Sequence, residues 1–211
     1  MRMRRKPNLD ARMDNCAHLL IVDPASCRGR WLDEFKYSGM QLELGCGKGR
    51  FTVEAAKAEQ DILHVALEKT ANVLILAMER AEREGVNNIR FVNALADNLA
   101  EFFAPGEAER IYLNFSDPWP GNKQAKRRLT SQAFLELYRH VLTPEGEIHL
   151  KTDNLPLFEF SLREFERGGF SLLEETRDLH KNGPVGILTD YEMKFFNQGL
   201  PIHQCVVKCK M

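Results

Sequence analysis

The chain has little of what marks a membrane, secreted or metal-scaffolded protein. Its 211 residues hold no apolar stretch near the ~20 residues that span a bilayer. Arg2, Arg4, Arg5 and Lys6 lead into polar residues where a secretory leader carries its apolar region, so no leader is expected and the cytoplasm is the expected location. Cysteine is sparse: Cys16, Cys27, Cys46, Cys205 and Cys209 are an odd number without a Cys-x-x-Cys pair, against both a disulfide framework and a zinc ribbon. Reduced thiols are expected. Cys205, Cys209 and His203 could be drawn as ligands, but their neighbours alternate like a terminal strand, so no metal centre is expected. The six histidines are scattered without metal-type spacing, and none is assigned to catalysis. Net charge is only −1, unlike a strongly basic nucleic-acid coat protein. There is no repeat and no low-complexity tract.

What is present is ordinary for a folded domain: 44 % apolar and 28 % charged residues. From Gln41 onward short apolar runs alternate with helical patterns, which predicts successive βα units around a parallel sheet. Strands are expected at 41–44, 62–67, 89–93, 110–115, 146–151, 170–175 and 202–208, and helices near 50–59, 71–84, 96–103, 131–142 and 155–167. Leu155, Phe158, Leu162 and Phe165 fall on one face at helical spacing and read as core. Gly85-Val-Asn-Asn88, Pro144-Glu-Gly146 and Gly168-Gly169 are turn signals before strands. Residues 1–40 lack a clear period and form an expected N-terminal extension packed on the 41–211 domain, with an amphipathic turn at Trp31, Leu32 and Phe35. The expected assembly is a monomer or homodimer.

Residues 111–120 read Ile-Tyr-Leu-Asn-Phe-Ser-Asp-Pro-Trp-Pro, an apolar strand that delivers Asp117, Pro118 and Trp119 at its carboxyl end. Open α/β sheets bind ligands there. A carboxylate beside a rigid proline and a flat indole suits a planar heterocycle offering hydrogen-bond donors; an acid followed by proline and an aromatic also suits an amine nucleophile. Trp119 either stacks on a base and walls its pocket or serves as a packing anchor.

Leu42-Glu-Leu-Gly45-Cys-Gly47-Lys-Gly49 is a strand entering a glycine-rich turn. Its Gly-x-Gly-x-Gly spacing is not the dinucleotide fingerprint, and Glu43 just before the first glycine would repel a pyrophosphate. An acid there suits a ligand with a cationic amine and sulfonium, namely S-adenosyl-L-methionine, although glycine clusters also make purely structural turns. Glu68 ends the next strand, where an acid takes the two ribose hydroxyls of an adenosine ligand. Asp97 follows the third strand and either meets adenine or caps the helix there. Lys123, Lys126, Arg127 and Arg128 follow the Asp-Pro-Trp run as a local basic patch, read as phosphate contacts or as a solvated helix start. Arg2 to Lys6 form either a mobile arm that folds onto RNA or a disordered leader.

Taken in order, the glycine loop, Glu68, Asn114-Phe-Ser-Asp-Pro-Trp-Pro120, Lys126-Arg127-Arg128, Lys151-Thr-Asp-Asn154 and Thr189-Asp-Tyr-Glu192 resemble the bacterial tRNA (guanine-N7)-methyltransferases over essentially the whole chain. The resemblance implies a Rossmann-like class I methyltransferase, an α/β fold with a seven-stranded mostly parallel sheet and helices on both faces. It implies S-adenosyl-L-methionine as cofactor and tRNA as partner, with methylation of the guanine at position 46 in the variable loop. Carried over by position, cofactor contacts fall on Glu43, Glu68, the 95–97 segment and Asp117, which is also the catalytic residue, and the glycine loop's own chemistry adds Gly45 and Gly47. Asp153, Thr189, Asp190, Tyr191 and Glu192 match substrate-contacting positions, and Trp119, Lys126, Arg127 and Arg128 are expected to join them as stacking and phosphate contacts on their own chemistry. Two departures stand out: Leu95 where the family often has an acid, so that a backbone amide or Asp97 serves adenine, and Gly121 where it commonly has a lysine, so that Lys123 supplies the charge. Asp153 also stands where it can cap the helix near Leu155. Gly183-Pro184 and Gly186 predict a flexible loop over 178–189 that orders Thr189 to Glu192 over substrate. Guanine N7 carries a lone pair and no proton, so Asp117 is expected to orient the base and offset its developing charge rather than act as a base.

Overall fold

The computed structural model describes residues 8–209; the Arg2–Lys6 arm lies outside the described residues. The chain runs through α1 (Leu9–Asn15), α2 (Trp31–Phe35), β1 (Gly39–Leu44), α3 (Arg50–Ala58), β2 (Ile62–Leu67), α4 (Ala71–Arg83), β3 (Ile89–Val92) and α5 (Leu99–Phe102). It continues through β4 (Ala108–Asn114), α6 (Gln132–Val141), β5 (Leu142–Thr152), α7 (Leu155–Arg167), β6 (Phe170–Thr176), α8 (Asp190–Asn197) and β7 (His203–Cys209). The sheet order is β3-β2-β1-β4-β5-β7-β6. β1 to β5 pair in parallel, and β7 runs antiparallel to both β5 and β6. The expected α/β fold with seven strands is the observed one. Chain order reverses at β1, where β2 lies on one side and β4 on the other, so a crevice opens beyond their carboxyl ends.

Helices cover both faces of the sheet, which is why β1 is buried along its whole length. One face packs Leu42, Leu44, Leu63 and Val65 against α5, α6 and α7 through Phe103, Leu135, Tyr138 and Phe158. The other packs Ala66, Ile89 and Phe91 against α3 and α4 through Val53, Leu74 and Met78. Residues before β1 join both layers. Trp31 is fully buried, stacks on Phe103 with centroids 5.2 Å apart and donates from Nε1 to the Phe102 carbonyl at 2.9 Å. On the opposite face Leu9 of α1 packs toward α4, where Arg12 pairs with Glu79 at 2.6 Å.

Several boundaries differ from the sequence reading. β4 stops at Asn114 because Phe115 takes a left-handed φ of 53° that turns the chain out of the sheet. β5 begins at Leu142: Pro144-Glu-Gly146 is a bulge inside the strand, where the partner moves from Ala108↔Leu142 to Arg110↔Glu147. The expected 96–103 helix divides into a tight 3-10 turn at Ala96–Asn98 and the short α5. α8 and a 3-10 turn at Asn122–Arg127 lie where no element was expected. α8 follows a Thr-x-x-Glu capping box: Glu192 N–H donates to Thr189 Oγ1 at 2.9 Å while Glu192 Oε2 accepts from Thr189 N–H at 3.0 Å. The Asp178 to Thr189 stretch is anchored at its start, where Leu179 N–H donates to the Ile202 carbonyl at 2.8 Å and His180 is buried, while Pro184, Val185 and Gly186 are exposed.

Candidate active site

A cavity of about 980 Å³ opens at the crevice where the chain order reverses. The ends of β1, β2, β3 and β4 supply Glu43, Glu68, the 94–97 segment and the Asn114–Trp119 run to its wall. α8 closes the far side with Thr189, Asp190, Tyr191 and Lys194.

The glycine turn follows β1 and is pinned by two donors, Gly45 N–H at 2.8 Å and Cys46 N–H at 3.0 Å, both to the Leu67 carbonyl. Gly47 sits at φ 56° and a methyl group there would meet nothing within 4 Å, so the loop leaves open space in front of its backbone. Gly49 is required for packing: a Cβ on it would lie 2.5 Å from Ala77 Cβ of α4. Glu43 is 5 % exposed and accepts from Thr52 Oγ1 and, at 3.0 Å, from Asn114 Nδ2. Burial pushes its carboxyl above the usual carboxylate range, opposed by those two hydrogen bonds and by nearby Lys151. Asn114 Oδ1 is buried and without a hydrogen-bond partner although Asn114 lines the cavity. A buried orphan acceptor beside a carboxylate calls for a donor-rich cation, as the amine of an amino-acid tail would be. Glu68 Oε1 accepts from Thr70 N–H at 2.9 Å, which fixes one oxygen and leaves the other for hydroxyl donors.

On the β4 side the backbone is strained twice, at Phe115 (φ 53°) and Trp119 (φ 41°), and such non-glycine strain concentrates at functional sites. Arg128 holds the strained turn, with Nε 3.0 Å from the Pro118 carbonyl and Nη2 3.0 Å from that of Trp119. Its guanidinium also lies 4.3 Å from the Phe160 ring centre. Arg127 stacks on the Trp119 ring at 3.6 Å. Asp117 stands exposed at the mouth, 3.4 Å from Lys69 Nζ. A second aromatic surface faces it: Phe115, Tyr191 and Phe195 lie mutually stacked with centroids 6.1 to 6.5 Å apart. Tyr191 keeps 63 % of its surface exposed.

The structure therefore brings Glu43, Gly45, Gly47, Glu68, Leu95, Asp97, Asp117, Trp119, Lys126, Arg127, Thr189, Asp190 and Tyr191 around one cavity. It does not bring Lys123, Arg128, Asp153 or Glu192 to the wall. Lys123 projects to solvent from the 3-10 turn, and Arg128 is committed to backbone carbonyls rather than free for a phosphate. Asp153 is exposed and does not cap α7; Asn154 does, accepting from Leu157 N–H at 2.8 Å. Asp97 likewise makes no cap. Glu192 has no exposed surface and faces Lys151 and His180. Residues without a sequence-stated role that the structure adds to the wall include Lys48, Lys69, Asn114, Phe115 and Lys194. Asn114 and Phe115 stood at the strand end that was expected to carry ligands; Lys194 became legible only once α8 was seen. Among the described residues no group of three or more His, Cys, Asp or Glu side chains is placed to hold a metal ion, and no helix is long and apolar enough to cross a membrane.

Comparison with known proteins agrees with this geometry. A family profile described as "Putative methyltransferase" matches residues 38–205. A Bacillus velezensis protein named tRNA (guanine-N(7)-)-methyltransferase is 42 % identical over 99 % of this chain and 97 % of its own. One of the same name from a Geobacillus species is 43 % identical over 99 % and 96 %. Among solved structures, the 16S rRNA methyltransferase KamB superposes with TM-score 0.65 at 14 % identity, covering 83 % of this chain and 89 % of its own. The 30S ribosomal A1408 methyltransferase from an uncultured bacterium gives 0.61 at 14 %, covering 90 % and 95 %. These two likenesses show a shared fold, that of the class I methyltransferases. Profile match and near-full-length identity together make the chain a member of the tRNA (guanine-N7)-methyltransferase family.

Proposed function

We propose that this protein transfers a methyl group from S-adenosyl-L-methionine to N7 of guanine at position 46 in the variable loop of tRNA, and does so in the cytoplasm. The observation that carries the reading is the single cavity in which an acid-flanked glycine turn, a strand-end acid and a strained Asp-Pro-Trp turn meet a rim of unpaired cations. Among the described residues Lys48, Lys126, Arg127 and Lys194 line that cavity without a carboxylate within ion-pair distance. Cations left without a carboxylate partner suit phosphates.

The residues present fit the cofactor. Glu43 and the orphan Asn114 Oδ1 would take its amine, the Gly45–Gly47 backbone would approach its tail, Glu68 would accept from its ribose, and Leu95 with the Ala96 and Asp97 backbone would wall the adenine. The bound cofactor supplies an electrophilic methyl on a sulfonium. Protein groups then need to align and to neutralise, because N7 attacks with a lone pair and releases no proton. Asp117 accepts hydrogen bonds from the N1–H and amino edge of guanine and offsets the positive charge growing on the purine. Lys69 holds one carboxylate oxygen and steers the other toward the base. With one Trp119 face occupied by Arg127, the exposed Tyr191 ring is the better stacking surface for the base. Alignment of N7, methyl and sulfur accounts for most of the rate gain.

The test is to incubate the protein with labelled S-adenosylmethionine and unmodified tRNA, then map N7-methylguanine through its base-labile cleavage. Label at the variable-loop guanine supports the reading; label on another base, or none on RNA, refutes it. Asp117→Ala should keep cofactor affinity within a modest factor and lose methyl transfer.

A further inference from the structure

α8 is docked in an unusual way. Helices normally pack through an apolar stripe, yet the one fully buried residue of α8 is Glu192, with no exposed surface. At eight residues the helix is too short to stand alone in water. Its neighbours Met193, Phe195 and Phe196 are only half-buried.

Glu192 is received by two other segments. Lys151 of β5, whose side chain is 11 % exposed, places Nζ 3.0 Å from Glu192 Oε1 and 3.4 Å from Oε2, and donates to the Ile187 carbonyl at 3.1 Å. His180, 4 % exposed, sets Nε2 2.8 Å from the same Oε1. His180 Nδ1 accepts from Val185 N–H at 3.2 Å, so the proton that bonds Glu192 sits on Nε2. With the Thr189 cap, both carboxylate oxygens are satisfied, the condition under which a buried charge is tolerated. Lys151 is also the register partner of Asn114, and its carbonyl accepts from Phe115 N–H at 2.8 Å, at the turn that projects Asp117.

We propose that Glu192, Lys151 and His180 form a latch that fixes α8 against β5, and that Glu192 is a positioning residue rather than a contact for RNA. The latch sets Asp190, Tyr191 and Lys194 on the cavity wall in register with the Asp117 turn. Its bearing on tRNA rests on the proposed function; its bearing on the placement of α8 does not.

The experiment compares wild type with Glu192→Gln, Lys151→Met and the double variant by amide hydrogen exchange, S-adenosylhomocysteine titration and tRNA kinetics. Glu192→Gln should speed exchange across 189–197 by about tenfold or more while β1 and β4 keep their protection. KM for tRNA should rise about fivefold or more with kcat at saturation and cofactor affinity changed by less than about threefold. The double variant, which leaves no uncompensated buried charge, should recover protection lost in Glu192→Gln. Unchanged exchange with lost methylation would show that Glu192 acts on RNA directly and overturn the latch. Unchanged exchange alone would overturn it too, and faster exchange with unchanged KM would uphold the latch and overturn its bearing on tRNA. If wild type is inert on tRNA the proposed function falls, and the exchange profiles alone still decide for or against the latch.

Discussion

Glu43→Gln separates the needs of the fold from those of the cofactor. The carboxylate is buried, and burial is the largest influence on it, raising its pKa against the hydrogen bonds from Asn114 and Thr52. The substituted side chain keeps the shape and loses the charge. The new side-chain oxygen can go on accepting from Asn114 Nδ2 while its amide donates to the Thr52 hydroxyl, so no further buried group is stranded. Removing the desolvated charge should leave stability unchanged or raise it by about 1 kcal/mol. Binding should suffer. A charge-assisted hydrogen bond is worth about 1.5–3 kcal/mol, and a unit-charge pair about 5 Å apart at an effective dielectric near 20 gives about 3 kcal/mol. The two estimates converge on a roughly 10- to 150-fold weaker Kd. Calorimetric titration should use both S-adenosylmethionine and S-adenosylhomocysteine, which keeps the amine and lacks the sulfonium. Equal losses for both place the carboxylate at the amine; a loss for the methyl donor alone places it at the sulfonium. Unchanged affinity for both, or a Tm lowered by several degrees, refutes the reasoning, because the charge would then serve the fold and not the ligand.

His64, buried on β2 with Nε2 unpartnered, has its pKa lowered from 6.5 to about 4 by burial and then by Arg110. The folded state therefore binds this proton less readily than the unfolded one, so the stability is complete above pH 6.5 and falls as pH drops toward 4. The limit is about 3 kcal/mol; urea midpoints for His64→Leu should depend less on pH across this window, and parallel curves would refute the assignment. Lys126→Ala with Arg127→Ala should weaken tRNA binding and reduce the salt slope by about 2, whereas Arg128→Ala should lower activity with little change in slope. An equal slope change for Arg128→Ala would show that it meets phosphate after all. Trp31→Ala should cost about 3–5 kcal/mol in denaturant unfolding, from the cavity and the stranded Phe102 carbonyl; a cost under about 1 kcal/mol would make residues before β1 an ornament.

The sequence was most legible where one physical signal acted alone. β1 and β2 are short apolar runs bounded by turns, and α7 matches its expected span of Leu155–Arg167 because Phe158, Leu162 and Phe165 mark its inward face, although Leu155, read as core with them, is exposed at the first turn and Leu157 is buried instead. The cavity was legible for a topological reason: strand ends at a reversal of chain order must leave a crevice, so Glu43, Glu68 and Asp117 could be placed together without coordinates. Legibility failed where local chemistry belongs to a distant partner. Glu192 and Arg128 are charged residues beside cavity residues, and sequence offers no means to tell a side chain turned outward to RNA from one turned inward to Lys151, or from one bonded to the carbonyls of Pro118 and Trp119. Lys151 shows the cost of that ambiguity. It stands at the end of an apolar strand, where a charge reads as a ligand contact, yet it joins the Phe115 turn on one side to Glu192 on the other. Lys151 thus ties the Phe115 side of one aromatic stack to the helix that carries Tyr191 and Phe195, and a substitution there should disturb that stack and the placement of the Asp117 carboxylate together.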